Sequence, residues 1–352
     1  MLKNKKNVKF LMLLIGLVLS IVTPNVYALD IESNQANEIR SIAELKDEIL
    51  VENVETNGLK KKQEIYNVDR FKSALKENHP EMSDYELGKT ILMSLGDDAE
   101  FVYSLPEDKV IEALDYISVV TTESFLKEMP DGELIEISEE LFYSIDTTQD
   151  IAKREEKVQT RALTLPNYSQ TFGDIVLRSR AFKRASNSSL PGRDFFTIRG
   201  EAEWVGFPNF QMTDMLAIAS TGNVDNNYSH YSTALWQHPL TKDIYDTAYF
   251  YSNNGKGTYI SLSNPDTKGL AVKVPIGIGQ QSQVLLTKVY AYYGVSSQSD
   301  ITCQVSYAHA ILAWSPSVSI SSSGSISFGG LGVQRQVFNG YAFTLYHGVT
   351  YK

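Results

Sequence analysis

The sequence predicts an α+β fold: a small acidic helical N-terminal domain followed by an antiparallel β-sandwich-like C-terminal domain. Three observations carry that expectation. First, Asp194–Phe210 alternates with period two, placing Phe196, Ile198, Ala202 and Trp204 on one side and Thr197, Arg199, Glu201 and Glu203 on the other. Such alternation is a strand with one buried and one wet face, closed here by Gly206 and Pro208. Second, charge is split along the chain, with 32 acidic against 15 basic residues in Asp30–Arg161 and 10 against 13 in Ala162–Lys352. Third, all three tryptophans and 14 of the 20 tyrosines fall in the second of those regions.

The chain begins with Lys3, Lys5, Lys6 and Lys9, continues through the uncharged run Phe10–Val22 and reaches Val26-Tyr27-Ala28. A basic start, a short apolar run and a small residue at the end predict a signal peptide over 1–28. The run is shorter than the roughly 20 residues a membrane-spanning helix needs. Secretion, or loose retention at the cell wall, is the expected location.

Residues 29–146 read as an acidic helical domain with one small hairpin. Ser41 with Glu44, and Ser83 with Glu86, give two capping boxes, in which side chains satisfy orphan amide donors reciprocally. Leu87, Ile91 and Leu95 follow at helical spacing, with Gly96 as a stop, and Val110, Ile111, Leu114 and Ile117 repeat the pattern after Pro106. Phe125–Met129 and Glu133–Ile137 flank Pro130-Asp131-Gly132, in which proline presets φ and glycine permits positive φ, so a hairpin is expected there. Leu95-Gly96, Phe101–Glu107 and Thr121–Lys127 together resemble a pattern in the front halves of uncharacterised secreted proteins of Gram-positive bacteria. That resemblance implies a bacterial, exported protein and brings no activity with it.

Thr147–Leu163 lacks apolar periodicity and is rich in charge, the composition of an exposed linker. Cleavage near Arg161 would release the β part from an acidic pro-segment. From 164 to 352, short strand-like runs alternate with turn compositions such as Asn253-Asn254-Gly255 and Ser321–Gly324, without helical crossovers, which predicts antiparallel sheets.

Candidate chemistry is sparse. Cys303 and His309 share a strand face but sit roughly 20 Å apart in rise, too far for a thiol dyad, so Cys303 reads as a small buried hydrophobe. Glu201 and Glu203, about 6.6 Å apart in rise, overlap a glycosidase spacing, yet Arg199 on their face would pair with one, and exposed solvating charge is the expectation. The oxygen-rich loop Asn223, Asp225, Asn226, Asn227 offers one carboxylate, too little charge for calcium, and no zinc-type spacing occurs, so no metal or cofactor is expected. Ser317–Phe328 alternates Val318, Ile320, Ile326 and Phe328 with serines. It resembles the inserting hairpins of β-pore toxins, although its arms of about five residues fall short of a spanning strand.

The aromatic-rich segment Tyr228–Tyr251 carries the leading functional reading. Tyr228, Tyr231, Trp236 and Tyr249 stand among Asn, Ser and Thr, where rings can stack on sugars or anchor a protein. The expectation is a secreted non-catalytic binding protein for cell-wall glycan or a protein partner. The acidic front disfavours nucleic acid. A pore-forming or bacteriocin-like toxin with an acidic pro-segment, and an extracellular hydrolase using Glu201 or Glu203, are the alternatives.

Overall fold

A computed structural model of the chain describes residues 50–56, 59–144 and, with short breaks, 174–348. The signal segment, the Ser41 cap, the linker and Arg161 lie outside the described residues. Within Leu50–Lys352, one compact unit, the chain is mostly antiparallel β-sheet with few helices.

A hairpin of β1 (Leu50–Thr56) and β2 (Leu59–Asn67) comes first. Asn67 then caps α1 (Val68–Asn78), its side chain accepting from the Arg70 amide at 3.0 Å. The Ser83 cap opens α2 (Asp84–Ser94) as the sequence predicts, Ser83 Oγ accepting from Glu86 N at 3.2 Å, with Asp84 and Glu86 stabilised near the positive end of the helix dipole. Gly96 adopts φ 87°, a left-handed turn that ends this helix and redirects the chain. Short helices α3 (Ala99–Ser104) and α4 (Glu107–Ile111) follow. Next come β3 (Tyr116–Glu128), β4 (Leu134–Ile137) and α5 (Glu139–Ser144). The predicted hairpin is present: Phe125 pairs with Ile137 and Glu128 with Leu134 around Gly132, at φ 85°.

In the second half the principal strands are β5 (Asp174–Arg184), β6 (Asp194–Val205), β7 (Thr213–Ser220), β8 (Asn223–Val224), β9 (Tyr231–Gln237) and β10 (Ile244–Tyr251). They continue as β11 (Ser261–Leu262), β12 (Gly269–Pro275), β13 (Gly277–Ile278), β14 (Val284–Ser297) and β15 (Ile301–Ala310). Last are β16 (Ser315–Ile320), β17 (Ile326–Leu331), β18 (Arg335–Asn339) and β19 (Phe343–Leu345). One sheet runs β1-β2-β3-β5-β6-β14-β9-β10, a second runs β11-β12-β7-β15-β18, and β16–β17 is a separate hairpin.

A layered packing follows from the alternation. Phe196, Ile198, Ala202 and Trp204 of β6 are buried between the two large sheets with Leu216, Ile218, Val305 and Tyr307, so this face behaves as the sequence predicts. The sheets approach closely: a Cβ on Gly200 would lie 2.9 Å from a Val305 methyl. The opposite face of the first sheet is not wet, as its polar residues suggest. Helices α1, α2, α3 and α4 cover it through Val68, Leu87, Ile91, Phe101 and Val110, packed with Phe182, Tyr231 and Tyr290. Thr197, Arg199 and Glu201 are buried as a result.

The separation into a helical front and a β back also changes. β3, from the front half, pairs with β5 from Tyr116↔Arg184 to Lys127↔Asp174, so both halves contribute to one sheet. Both faces of β3 are largely buried, and a doubly buried strand loses the alternation that would reveal it.

Candidate functional site

The residues expected to form an exposed aromatic surface are not exposed. Trp236 lies between the two large sheets, its Nε1 donating to Pro275 O at 3.0 Å. Tyr231 stacks on Tyr292 with ring centroids 4.0 Å apart, and Lys109 Nζ sits 4.6 Å above its ring. Tyr228 is buried beside Arg184, whose guanidinium is 4.7 Å from the ring centroid. The cause is α4, which brings Lys109 over both rings, 5.4 Å from the Tyr228 centroid. The side chain of Tyr249 is outside the described residues.

The same face instead holds a lattice of charge. Residues two apart on a strand share a face, so Arg178, Arg180 and Arg184 of β5 lie beside Arg199, Glu201 and Glu203 of β6, in the register Arg178↔Glu201 and Arg180↔Arg199. Arg199, fully buried, grips Asp97 with both terminal nitrogens, Nη1 donating to Oδ2 at 2.7 Å. This is the fork-on-carboxylate geometry that only arginine supplies. Arg180 Nη1 donates to Asp97 Oδ1 at 2.7 Å, and Arg199 Nη1 to Tyr292 Oη at 3.3 Å. Burial alone would raise the Asp97 carboxyl, but Arg199 and Arg180 outweigh it and hold it below its ordinary value. The left-handed turn at Gly96 delivers Asp97 to this spot.

Further along the strands, Arg178 Nη1 donates at 2.6 Å to both Glu201 Oε1 and Glu203 Oε2, while its Nε donates to Glu123 Oε1 at 2.6 Å. Lys288 of β14 pairs with Asp98 and lies 3.0 Å from Glu203. Burial raises the Glu203 carboxyl, an effect that Arg178 opposes and Glu201 reinforces. The space between Glu201 and Glu203 is therefore occupied by a guanidinium. A sugar or an attacking water has no place between these carboxylates, and neither is the freely solvated charge their spacing suggests. The predicted contact of Arg199 with Glu201 exists, at 3.5 Å.

Five carboxylates (Asp97, Asp98, Glu123, Glu201, Glu203) thus face four cations (Arg178, Arg180, Arg199, Lys288). The inner members are sealed, but the outer ones are not: the side chain of Asp98 is 55 % exposed and that of Glu123 32 %. Tyr143 of α5 stands nearby, 64 % exposed, its ring 5.7 Å from that of Phe125. Burial together with the charge of Glu123 raises its phenol.

A second polar cluster lies between the two large sheets. His309 Nδ1 meets Asp214 Oδ2 at 2.9 Å and its Nε2 meets Glu128 Oε1 at 3.1 Å. Tyr307 donates to Asp214, Trp204 Nε1 donates to Tyr307 Oη at 3.0 Å, and Ala310 N donates to Asp214 Oδ1 at 3.0 Å. With a carboxylate on each ring nitrogen, the imidazole is held doubly protonated: burial lowers its pKa, but Asp214 and Glu128 prevail and push it up to about 10. His309, Asp214 and Glu128 are all at 0 % exposure, out of reach of a substrate. Cys303 is buried, and burial pushes its thiol up to about 12, as expected of a structural cysteine. Asp225, the single carboxylate of the Asn-rich loop, is engaged by Arg184 at 2.5 Å.

Asp97, Glu123, Arg178, Arg180 and Lys288 escaped the sequence reading, although a signal existed. Arg178-x-Arg180 continues the apolar run Ile175–Leu177 with the same period that Arg199-x-Glu201-x-Glu203 shows on its neighbour.

No family model matches this chain, and neither does any curated protein. Among solved structures, a DUF4466 family protein from Parabacteroides merdae is similar over 44 % of each chain, at 10 % identity and TM-score 0.21. The collagen-binding subdomain of the Enterococcus faecalis surface protein ACE matches 44 % of this chain and 90 % of its own, at 8 % identity and TM-score 0.21. IDO from Bacillus thuringiensis matches 66 % and 90 %, at 12 % identity and TM-score 0.17. At such scores they assign neither fold nor ligand. Among the described residues no helix is long and apolar enough to cross a membrane.

Proposed function

We propose that this chain is a secreted, non-catalytic interaction protein that receives a cationic group of its partner on the rim formed by Glu123, Asp98 and Tyr143. The observation that carries this reading is the uneven exposure of the ionic lattice. Its inner pairs are sealed, while Asp98 and, beside the exposed Tyr143, Glu123 remain open to solvent. An ammonium or guanidinium group arriving there meets fixed negative charge and a π-face together, the combination that recognises cations. Amino groups on a cell-wall glycan or basic side chains of a protein meet that requirement. The basic, then apolar N-terminal segment supports export.

Purified peptidoglycan with free amino groups and an oligolysine peptide are the two probes. Co-sedimentation and titration are expected to show binding that falls with salt and is lost when the amines of either probe are acetylated. Because exposed ion pairs contribute about 0.2–1 kcal/mol each, Glu123→Gln is expected to weaken binding a few-fold, and Glu123→Gln with Tyr143→Ala further. Binding indifferent to acetylation would sink the proposal.

A further inference from the structure

We infer that the hairpin β16–β17 is a detachable anchor that lies on the surface of an electrically neutral lipid bilayer. Four observations converge on it. The hairpin forms a two-stranded sheet of its own, with no ladder to either large sheet among the described residues. Its hydrogen bonds are internal: six pairs run from Ser315↔Leu331 to Ile320↔Ile326, and Ser321 N donates to Ser325 O at 2.9 Å across the turn. Among the described residues no backbone hydrogen bond ties it to either large sheet. Side-chain packing seats it, with Phe328, Val318 and Ile326 resting on Met215, Ala217, Ala271 and Ala308, an outer sheet face of mostly small residues. Gly269 makes room for Ile320, whose Cδ1 would lie 2.4 Å from a Cβ there.

The fourth observation is charge. No Asp, Glu, Lys or Arg occurs between Asp300 and Arg335, so on an otherwise charged chain this segment has nothing to attract an anionic headgroup or to oppose entry into an apolar layer. Val318, Ile320, Ile326 and Phe328 face one way, and the exposed Ser319, Ser321, Ser325 and Ser327 the other. This two-sided pattern suits a headgroup boundary, with aliphatic and aromatic groups toward the acyl chains and hydroxyls toward water. Depth is limited by geometry. Arms of six residues reach about 20 Å, short of the roughly 30 Å hydrocarbon core. A lone hairpin also carries open edges that hydrocarbon cannot satisfy. It therefore lies in the boundary and does not span.

The test uses the full-length exported chain carrying Ser323→Cys at the exposed tip, labelled with a polarity-sensitive dye; Cys303 is buried. Phosphatidylcholine vesicles are expected to shift the dye to the blue and to carry the protein upward on flotation, equally at low salt and at 1 M salt. Phe328→Asp is expected to reduce flotation at least ten-fold, with far-UV circular dichroism checking its fold. Ser327→Asp, on the exposed side, keeps the fold and is expected to reduce flotation several-fold. No shift with phosphatidylcholine, flotation only with anionic vesicles, or flotation unchanged in both variants overturns the inference. Loss of flotation with retained oligolysine binding would leave the proposed rim intact.

Discussion

The polar cluster beneath the helices and the polar cluster between the two sheets are built alike and opened to solvent differently. Each has one more carboxylate than cation: Asp214 and Glu128 around the imidazolium of His309, five carboxylates around four cations under the helices. Between the sheets the surplus is closed off and shared among Tyr307, Ala310 and the ring nitrogens. Under the helices it extends outward to Glu123 and Asp98, whose side chains are open to solvent. Buried pairs of this kind are weak evidence for net stability, because desolvation offsets much of the attraction. Their common effect is to fix how layers meet. Asp97 binds the helical cover to β5 and β6, and His309 binds β15 to β3 and β7.

Removing one member of either cluster breaks this comparison most forcefully. Asp97→Ala removes the carboxylate that Arg199 and Arg180 share under the helices, leaving Arg199 its longer contact with Glu201 at 3.5 Å, and breaking a buried pair costs roughly 3–5 kcal/mol. Urea unfolding of the variant is expected to show a loss of that size. A loss below about 1 kcal/mol would mean that water reaches Arg199 and that the cover is looser than its packing with Phe101 and Tyr290 indicates.

The two clusters also fail at opposite ends of the pH scale. Asp97 is held below its ordinary value, so its contribution is complete above that value and disappears as pH falls through the folded one. His309 is raised, so its contribution is complete below the unfolded value of about 6.5 and is lost as pH climbs through about 10. Between those two values stability is expected to decline by at most about 1.4 kcal/mol per pH unit from this group. Following the His309 ring by NMR while the urea midpoint is measured from pH 6 to pH 10 checks this. A ring that titrates near 6.5 would show that Asp214 and Glu128 do not hold it charged.

Contrasting legibility separates the same two regions. The sheet-to-sheet face could be read from Phe196, Ile198, Ala202 and Trp204, because one strand with a single apolar side declares its orientation. The hairpin at Pro130–Gly132 and the Ser83 cap could be read for an equally local reason, since turn and cap chemistry reside in neighbouring residues. What the sequence hid was the cover. A polar strand side reads as wet whether it meets water or oppositely charged residues from another element. Asp97 lies 102 positions from Arg199, and nothing local links them. The same blindness misplaced Tyr228 and Tyr231, which look like binding rings among Asn and Ser until α4 is laid over them. It also hid β3, whose two buried sides erase the alternation.

The smallest expected effect separates the rim from the lattice beneath it. Glu123 shares Arg178 with Glu201 and Glu203, so replacing it with Gln leaves that guanidinium with two carboxylates. Its own side chain is partly in water already. Stability should therefore change by no more than about 0.5 kcal/mol, the range of ordinary surface substitutions, while affinity for oligolysine falls a few-fold. If instead the urea midpoint moves as far as it does for Asp97→Ala, Glu123 belongs to the structural interior and the surplus charge is not available to a partner. A preserved midpoint with weakened binding places the division between scaffold and contact surface at Arg178, the last cation bridging the sealed carboxylates to the open one.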